Sequence, residues 1–248
     1  MAGDGKERYG VREAMIRGIL FDNGGVLQAP LSGNWILCPR YRDFLGGELD
    51  AVATEKLSQF CSTRMMPLPE EQLIDGEQEE LRLYEAFYKA AFSYAGLALS
   101  DETIRGMSED MVYNDRRVYV FEDVPLWLGR WKGQYEMGLL SDATPSSKRI
   151  VHRTGISAYM DSETYSFELG VAKPSEKMFQ AALSKFHTPA EEILFIDDSP
   201  VNLAGAARLG LQTVQMRRGA AVPATDPWDG AYVGSLAELD AYLTKCGR

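Results

Sequence analysis

The chain carries an apolar run that ends in a carboxylate and a glycine-rich turn. Residues 16–21 predict a buried strand, and Asp22 follows them directly, with Gly24 and Gly25 close behind. Ligands of α/β proteins bind in the crevice beyond the carboxyl ends of parallel strands. Backbone N–H groups of a tight turn at such a strand end can also bind an anion. This segment therefore predicts an α/β fold with an anion-binding site after the first strand.

Charge and hydropathy restrict the classes of partner. The 248 residues have a formal net charge of −10, which argues against binding to nucleic acids or to anionic membranes. Hydrophobic residues make up 45% of the chain, enough for a sizeable core. No apolar stretch approaches the roughly 20 residues of a membrane span. We therefore expect a globular protein that acts on a small molecule, as a monomer or a homodimer.

The cysteines and the N-terminal segment bear on the compartment. Cys38, Cys61 and Cys246 have no metal-ligand spacing and cannot all pair with one another, which favours a reducing cytoplasm. Residues 1–14 form a polar tail without the apolar centre of a secretory signal. Met15, directly before the first strand, is a second candidate for the initiating residue.

Two segments, 15–32 and 117–248, alternate between short apolar runs and amphipathic helical patterns. Further strands are predicted at 135–140, 193–196 and 212–216, and helices at 145–153, 199–210 and 235–243. Ser199 and Pro200 supply an N-cap and a first-turn proline for the second of these helices. Such alternation predicts an α/β catalytic core, a Rossmann-like parallel sheet with helices on both faces.

Residues 33–116 contain no buried-strand candidate and repeat apolar residues at helical spacing. Four aromatic residues form a stripe (the aromatic stripe) that is typical of helix packing: Tyr84, Phe87, Tyr88 and Phe92. Six acidic residues lie in a stretch without Lys or Arg, and we interpret them as a solvated helix face: Glu70, Glu71, Asp75, Glu77, Glu79 and Glu80. The block predicts a smaller all-helical cap, inserted after the first strand and above the sheet edge that carries Asp22.

Further polar residues follow the other predicted strands. Ser141 and Asp142 end one strand, Asp197 and Asp198 end another, and Lys173 precedes a helix. Taken alone, each is also typical of a cap or a surface loop, but the carboxyl ends of parallel strands meet at one edge of a sheet. Together with residues 22–27, these motifs resemble, in order and spacing, the signatures of the haloacid dehalogenase-like (HAD) hydrolases. The first of those signatures reads Asp-x-Asp-Gly-Val-Leu.

The resemblance implies a role for each matching residue. Asp22 would be the nucleophile that becomes an aspartyl-phosphate. Ser141, together with backbone N–H groups near Gly25 and Asp142, would bind the phosphoryl oxygens. Lys173 would neutralise phosphate charge and hold Asp22 ionised. The chain would then be a phosphatase that acts on a small phosphorylated metabolite.

The resemblance also implies a Mg²⁺ cofactor. Asp22 and Asp198 would coordinate the ion, Asp197 would be a second and indirect carboxylate, and Gly24 would contribute its backbone carbonyl group. Mg²⁺ favours oxygen ligands of this kind. Asn202 stands where many relatives carry another Asp, so the outer support for the metal would be weaker.

The second Asp of the family signature, which transfers the leaving-group proton, is replaced by Gly24. General acid–base catalysis contributes about 10²–10⁴-fold, whereas phosphoryl transfer depends mostly on positioning and charge stabilisation. We therefore expect aryl and acyl phosphates to be hydrolysed much faster than alkyl phosphates, and Gly24→Asp to raise turnover of the alkyl compounds. The substrate, the cap or Asp142 could supply a substitute acid.

Two other functions stay open. Hydrolytic dehalogenases of the same fold also lack the second Asp, and they need no Mg²⁺, although the pair Asp197 and Asp198 favours phosphate over halide. A catalytically weak relative that only binds a phosphorylated ligand or a partner protein is the other alternative.

Substrate identity is expected to depend on the cap and on the loop after the first strand. A sugar, nucleotide or small-acid phosphate would each be admissible. His152 and His187 match no motif and are expected on the surface. Contacts at the rim of the site are predicted for six residues: Gln28, Asn34, Trp35, Arg40, Tyr41 and Arg64.

Overall fold

The structure is a computed structural model that describes residues 15–63, 73–219 and 228–246. Eight strands lie within them: β1 (Gly18–Phe21), β2 (Gln28–Pro30), β3 (Val118–Val120), β4 (Glu136–Ser141), β5 (Ser162–Tyr165), β6 (Ile193–Asp197), β7 (Gln212–Met216) and β8 (Tyr232–Val233). Six of these strands form one sheet in the order β5-β4-β1-β6-β7-β8, in which every neighbouring pair is parallel. β2 and β3 form a separate antiparallel pair.

The same residues contain ten α-helices: α1 (Tyr41–Leu45), α2 (Ala51–Thr63), α3 (Glu77–Tyr94), α4 (Asp101–Tyr113), α5 (Val124–Trp131), α6 (Pro145–Arg153), α7 (Ser166–Leu169), α8 (Glu176–Leu183), α9 (Pro200–Ala207) and α10 (Leu236–Cys246). Helices α5, α6 and α10 contribute to the core on one face of the large sheet, and α8 and α9 contribute to the core on the other. The predicted Rossmann-like α/β fold is therefore confirmed.

The central strand β1 shows why helices cover both faces. Its residues are all buried, and Ile19 and Phe21 belong to the core that contains α5 and α10, whereas Leu20 belongs to the opposite core. Side chains of a strand point alternately to its two faces. A strand covered on both faces is apolar throughout. This is the reason that an uninterrupted apolar run predicted the strand correctly.

Helices α1 to α4 have a buried core of their own. All four members of the aromatic stripe are 8% exposed or less within it, which confirms that the stripe packs helices together. β2 and β3 lie side by side at the base of this helical segment, with Gln28 opposite Val120. The chain therefore leaves the large sheet and returns to it at neighbouring positions.

Some elements differ from the predictions. The strands β2, β3, β5 and β8 were not predicted, because they have two to four residues and β5 is a partly polar edge strand. Helix α9 ends at Ala207 rather than at 210. Ser199 occupies its N-cap position, but its side chain makes no capping hydrogen bond. Instead, the Ser199 N–H donates to Oδ1 of Asp197 at 2.8 Å.

Several expectations concern single residues or segments. The side chains of His152 and His187 are 53% and 98% exposed, which confirms their surface position. Cys38 and Cys61 are free thiols. The tail 1–14 and the side chains of Arg64 and Cys246 lie outside the described residues. Across the part of the chain that the structure describes, no helix combines the length and apolar character needed to cross a membrane.

Glu136, at the start of β4, holds the segment that leads to β6. Its Oε1 accepts the N–H of His187 at 2.8 Å, and its Oε2 accepts the N–H and the hydroxyl of Thr188 at 2.9 and 2.8 Å. Burial alone would raise the pKa of this carboxyl group, but the hydrogen bonds outweigh it and lower the pKa of Glu136 to about 2.

We expect Glu136→Gln to lower the free energy of unfolding at pH 7 by about 1–3 kcal/mol, because hydrogen bonds to a charged acceptor are weakened. The folded-state pKa lies below the ordinary value of 4.5, so this stabilisation is present above about pH 4.5 and is lost as the pH falls towards 2. Urea unfolding of both proteins at pH 7 and pH 3 measures the difference, with the exposed Glu191→Gln as control. A difference that is the same at both pH values would contradict the prediction.

Candidate active site

Three central strands bring the predicted polar residues to one edge of the sheet. Asp22 follows β1, Ser141 ends β4, and Asp198 follows β6. β4 and β6 flank β1, where the strand order of the sheet reverses, and ligands of open α/β sheets bind at such points. All three residues line a cavity of about 320 Å³, which Lys173 and Asp142 also line. The structure therefore brings the motifs together as predicted.

Lys173 connects the nucleophile candidate with the carboxylates after β6. Its Nζ donates to Oδ1 of Asp22 at 2.7 Å and to Oδ2 of Asp197 at 2.8 Å. The lysine is 5% exposed and Asp197 is fully buried. Buried charges are tolerated when they are paired and hydrogen-bonded in this way. These two contacts fix the ammonium group beside Asp22.

The electrostatics of this cluster follow from burial and from an excess of carboxylates. Burial raises the pKa of Asp22, and Asp197 and Asp198 add to the increase, while Lys173 opposes it. Burial lowers the pKa of Lys173, but Asp22, Asp197 and Asp142 outweigh it, so that the pKa is raised. The lysine is therefore a cation at neutral pH. Lys173 favours the ionised form of Asp22, which is the direction predicted for it, while burial and two further carboxylates act against it.

Three carboxylates form a group that fits a divalent cation. Oxygens of Asp22, Asp197 and Asp198 lie within 4.8 Å of one another. Lys173 supplies one positive charge against three carboxylates, so a cation that accepts hard oxygen ligands would complete the balance. Mg²⁺ prefers carboxylate oxygens, water and phosphate oxygens. The residues present therefore fit this ion.

The two carboxylates after β6 differ in how freely they can bind. Both oxygens of Asp197 are already occupied, since Oδ1 accepts Ser199 N–H at 2.8 Å and Oδ2 accepts Lys173. Asn202 donates to both of them, at 3.2 and 3.1 Å. Asp198 instead lines the cavity. Asn202 thus supports the carboxylate cluster by binding Asp197.

Gly25 permits a close approach between the first turn and Asp198. Its φ of +71° is in the left-handed region, and an added Cβ would lie 2.4 Å from Oδ2 of Asp198. A side chain at this position would therefore clash with the carboxylate as well as strain the backbone. The Gly25 N–H donates to the carbonyl of Gln28 at 2.9 Å. In this structure the Gly25 N–H is a turn donor, and phosphate binding by backbone N–H groups near Gly25 stays a prediction.

Trp35 occupies the space beside Gly24. A Cβ added to Gly24 would lie 3.1 Å from Cζ2 of the Trp35 indole, and the next two nearest atoms belong to the same ring. Trp35 is 43% exposed and lines the cavity. The position at which the family signature carries its second Asp is therefore covered by a tryptophan from the following loop. The chain thus lacks the second Asp of the signature, and the Trp35 indole lies where that side chain would begin.

Ser141 and Asp142 differ in their availability. Ser141 is 3% exposed and lines the cavity. Oδ1 of Asp142 accepts the backbone N–H of Lys173 at 2.9 Å, so this carboxylate braces the loop that carries the lysine. Burial raises the pKa of Asp142, and Lys173 opposes this effect. The carboxylate is thus partly committed to a structural contact.

The predicted rim residues separate into two groups. Gln28, Asn34 and Trp35 line the cavity. Arg40 does not, because its Nε donates to Asp110 at 3.0 Å. Tyr41 is buried in the helical segment. Charge and aromatic character indicated these residues as candidates for the rim of the site. The packing of the helices determines which partner each side chain contacts.

The burial of two charged residues was not predicted. Glu80 was interpreted as part of a solvated face, yet it is fully buried. Its carboxylate accepts the N–H and the hydroxyl of Ser146 in the first turn of α6, at 2.8 and 2.5 Å. Arg117, which also lines the cavity, is 8% exposed. No signal in the sequence marks either residue, since the first lies in an acidic stretch and the second at a junction between segments.

The fold and the site define an α/β protein with a buried lysine–carboxylate centre at the reversal point of its sheet. The chain belongs to the haloacid dehalogenase-like hydrolase family, whose sequence profile matches residues 16–210. It is 32% identical over 123 residues to the phospholysine phosphohistidine inorganic pyrophosphate phosphatase of Bos taurus. That match covers 46% of this chain and 42% of the relative, so the chain spans less than half of the relative's length.

Solved structures show the same architecture. The HAD-hydrolase YfnB of Bacillus subtilis, bound to magnesium, superimposes with a TM-score of 0.67 at 14% identity, covering 92% of this chain and 98% of that one. The L-2-haloacid dehalogenase of Xanthobacter autotrophicus, with chloropropionic acid covalently bound, gives a TM-score of 0.65 at 14% identity, covering 93% and 99%. At these identities the likeness shows the fold alone.

Proposed function

We propose that the protein is a Mg²⁺-dependent phosphatase that hydrolyses a small phosphorylated metabolite through an aspartyl-phosphate on Asp22. The observation that carries this proposal is the contact of one buried lysine with Asp22 and Asp197, beside Asp198, at the cavity floor. The relative from Bos taurus is named as a phosphatase of phosphorylated side chains and pyrophosphate, which supports phosphate chemistry.

The reaction would proceed in two steps. An Asp22 oxygen attacks phosphorus while the bond from phosphorus to the leaving group breaks, and water then hydrolyses the aspartyl-phosphate. Lys173 and Ser141 would bind the phosphoryl oxygens and offset the charge that develops on them. Asp22, Asp198 and the Gly24 carbonyl would hold Mg²⁺, with Asp197 behind them, and the ion would supply charge stabilisation.

Because residue 24 is Gly, the leaving group lacks the proton donor that the family usually supplies. Charge stabilisation and positioning still operate, so we expect substrates whose leaving groups depart as stable anions to react fastest. Residues 33–116 would act as the cap above this site. The protein would work as a monomer or homodimer in the cytoplasm.

A phosphate-release screen tests the proposal. Aryl, acyl and alkyl phosphates and a set of phosphorylated metabolites are incubated with the protein, with Mg²⁺ and with EDTA. We expect Mg²⁺-dependent release that is at least about 10²-fold faster for aryl and acyl phosphates than for alkyl phosphates. Equal rates for both classes would contradict the role assigned to Gly24.

A parallel assay of chloride release from a 2-haloacid, run beside the phosphate screen, separates the two alternatives. A hydrolytic dehalogenase would release chloride from a 2-haloacid in EDTA and no phosphate with Mg²⁺. A protein that only binds ligands would release neither. The carboxylate pair after β6 favours the phosphatase, because halide departure requires no metal and no proton.

We expect restoration of the acid to work better when the space beside position 24 is enlarged. A Cβ at position 24 would lie 3.1 Å from the Trp35 indole, so Gly24→Asp alone should raise turnover of alkyl phosphates less than it does with a smaller residue at position 35. In the Trp35→Ala background, Gly24→Asp should raise kcat for alkyl phosphates by about 10²-fold or more, since the carboxyl group can then protonate the leaving oxygen.

Steady-state kinetics on an alkyl phosphate measure this gain. The control is Gly24→Asn in the same Trp35→Ala background, because Asn has a similar size and transfers no proton. If the Asp and Asn variants are equally active, the missing acid is not what limits alkyl phosphate hydrolysis.

A further inference from the structure

Arg117 places a buried positive charge on the wall of the cavity. The residue is 8% exposed and lines the same cavity as Asp22 and Lys173. Among residues 15–63, 73–219 and 228–246, no carboxylate oxygen lies within 4.0 Å of its guanidinium nitrogens. A buried cation without an ion-pair partner is costly unless another group compensates for it.

The neighbours of Arg117 orient it without neutralising it. Nη2 donates to the Ser147 hydroxyl at 2.8 Å, and Nη1 donates to the Met111 carbonyl. The backbone is held as well, since the Arg117 carbonyl accepts the N–H of Leu31 at 2.9 Å. Both side-chain partners are uncharged, so the guanidinium is fixed in place without an ion-pair partner among the described residues.

The carboxylate that could have paired with Arg117 is used elsewhere. Both charged residues lie near Tyr84, because burial raises the pKa of this tyrosine, Arg117 lowers it and Glu80 raises it. The two Glu80 oxygens accept the N–H and the hydroxyl of Ser146. The Glu80 carboxylate is therefore hydrogen-bonded to the first turn of α6 and forms no ion pair with Arg117.

We propose that the substrate carries a second anionic group, a carboxylate or another phosphoryl group, which binds the guanidinium of Arg117. This inference rests on the proposed phosphatase function, in which Lys173 and Mg²⁺ take the scissile phosphate. Arginine is suited to the second group, because its planar fork binds carboxylate and phosphate through paired hydrogen bonds. Arg117 is therefore a substrate-binding residue that determines specificity.

The rest of the cavity wall is consistent with a short apolar body between the two anions. The side chains of Trp35, Leu37 and Met111 are among the apolar residues that line the cavity. A cavity of about 320 Å³ lies in the range of small-molecule sites. The substrate class is thus a small phosphorylated acid or a compact diphosphate.

Matched substrates test the proposal on the full-length protein with Mg²⁺. Phenyl phosphate and 4-carboxyphenyl phosphate have leaving groups of similar acidity and differ in the second anion, and inorganic pyrophosphate supplies a phosphoryl group as that anion. We expect wild-type kcat/KM to be higher for one or both doubly anionic compounds than for phenyl phosphate. Arg117→Met should reduce that preference about 10–100-fold, mainly through KM, as expected for a lost hydrogen-bonded ion pair.

The controls separate binding from structural support. Arg117→Lys should recover part of the preference, because it keeps the charge, and the exposed neighbour Arg116→Met should leave it unchanged. Ser147→Ala removes an orienting bond and keeps the cation, so it should retain most of the preference. If Arg117→Met and Ser147→Ala weaken all three substrates equally, Arg117 only joins the helical segment to the core and the inference is overturned.

The two proposals fail in different ways. If the wild-type protein hydrolyses phenyl phosphate and shows no preference for a second anion, the inference about Arg117 is wrong and the phosphatase stands. If it releases phosphate from none of the compounds, the proposed function itself is wrong. Preference for the carboxylate or for pyrophosphate identifies which anion Arg117 receives.

Discussion

Asp22→Asn is expected to reduce Mg²⁺-dependent phosphate release at least about 10⁴-fold, because the carboxamide has no nucleophilic oxygen with which to form the covalent intermediate. Asp22 is the carboxylate that contacts Lys173 at the cavity floor, at 2.7 Å. Lys173 keeps its second partner, Asp197, so the ammonium group stays paired in the variant. The loss should therefore appear in kcat while the protein remains folded.

Trapping the intermediate gives a readout beyond turnover. Wild-type protein is quenched in acid while it hydrolyses an acyl phosphate that is labelled in its phosphoryl group. It should then carry one labelled aspartyl-phosphate, which hydroxylamine removes, and Asp22→Asn should carry none. Asp101→Asn is the control, since that carboxylate is exposed and far along the chain from the site. Normal turnover by Asp22→Asn, or label on another residue, would show that Asp22 is not the nucleophile.

Lys173→Met is expected to lower the free energy of unfolding by about 3–5 kcal/mol at pH 7 in EDTA, because it leaves two buried carboxylates without their cation. The lysine is the hydrogen-bond donor that Asp22 and Asp197 share. Activity with Mg²⁺ should also fall by at least about 10³-fold, since the phosphoryl oxygens lose a fixed positive charge.

The pH dependence of this deficit has a definite sign. Burial already raises the pKa of Asp22 in the wild-type protein, and removal of Lys173 raises it further. We therefore expect the destabilisation by the unpaired Asp22 carboxylate to be largest at neutral pH and to shrink as Asp22 takes up a proton at lower pH. Urea unfolding at pH 7 and pH 5 should show a smaller deficit at pH 5.

Lys177→Met is the matched control for this variant. Its Nζ lies on the surface and donates to the carbonyl of Leu169 at 3.0 Å, so its loss should change stability by less than about 1 kcal/mol. A Lys173→Met protein as stable as Lys177→Met would show that the fold does not need the cation beside Asp22 and Asp197, and would contradict the prediction.

The strands and long helices of this protein could be predicted because their signals are local. The apolar run 16–21 is covered on both faces and contains β1, and α6 occupies Pro145–Arg153, the range predicted for it. The capped helix α4 begins with Ser100, whose side chain accepts the N–H of Thr103. Local patterns of this kind need no tertiary contact to be recognised.

The members of the candidate site could be predicted for a geometric reason. Asp22, Ser141 and Asp198 stand at the ends of strands, and parallel strands finish at the same edge of their sheet. Their convergence follows from the fold class alone. The place of Lys173 beside Asp22 was harder to predict from the fold class. This lysine lies in a loop and contacts a residue 151 positions away in the chain.

Amino-acid order by itself thus determined the alternation of strands and helices, the helical insertion and the list of carboxylates around Asp22. Only the tertiary structure decided which acidic residue is buried, what fills the space beside Gly24 and where a charge is left unpaired. Glu80 accepts a hydrogen bond from Ser146 at the start of α6, and the Trp35 indole lies beside Gly24. Arg117 donates to neutral groups. The physical reason is that a side chain's partner depends on packing between distant elements, which no local periodicity encodes.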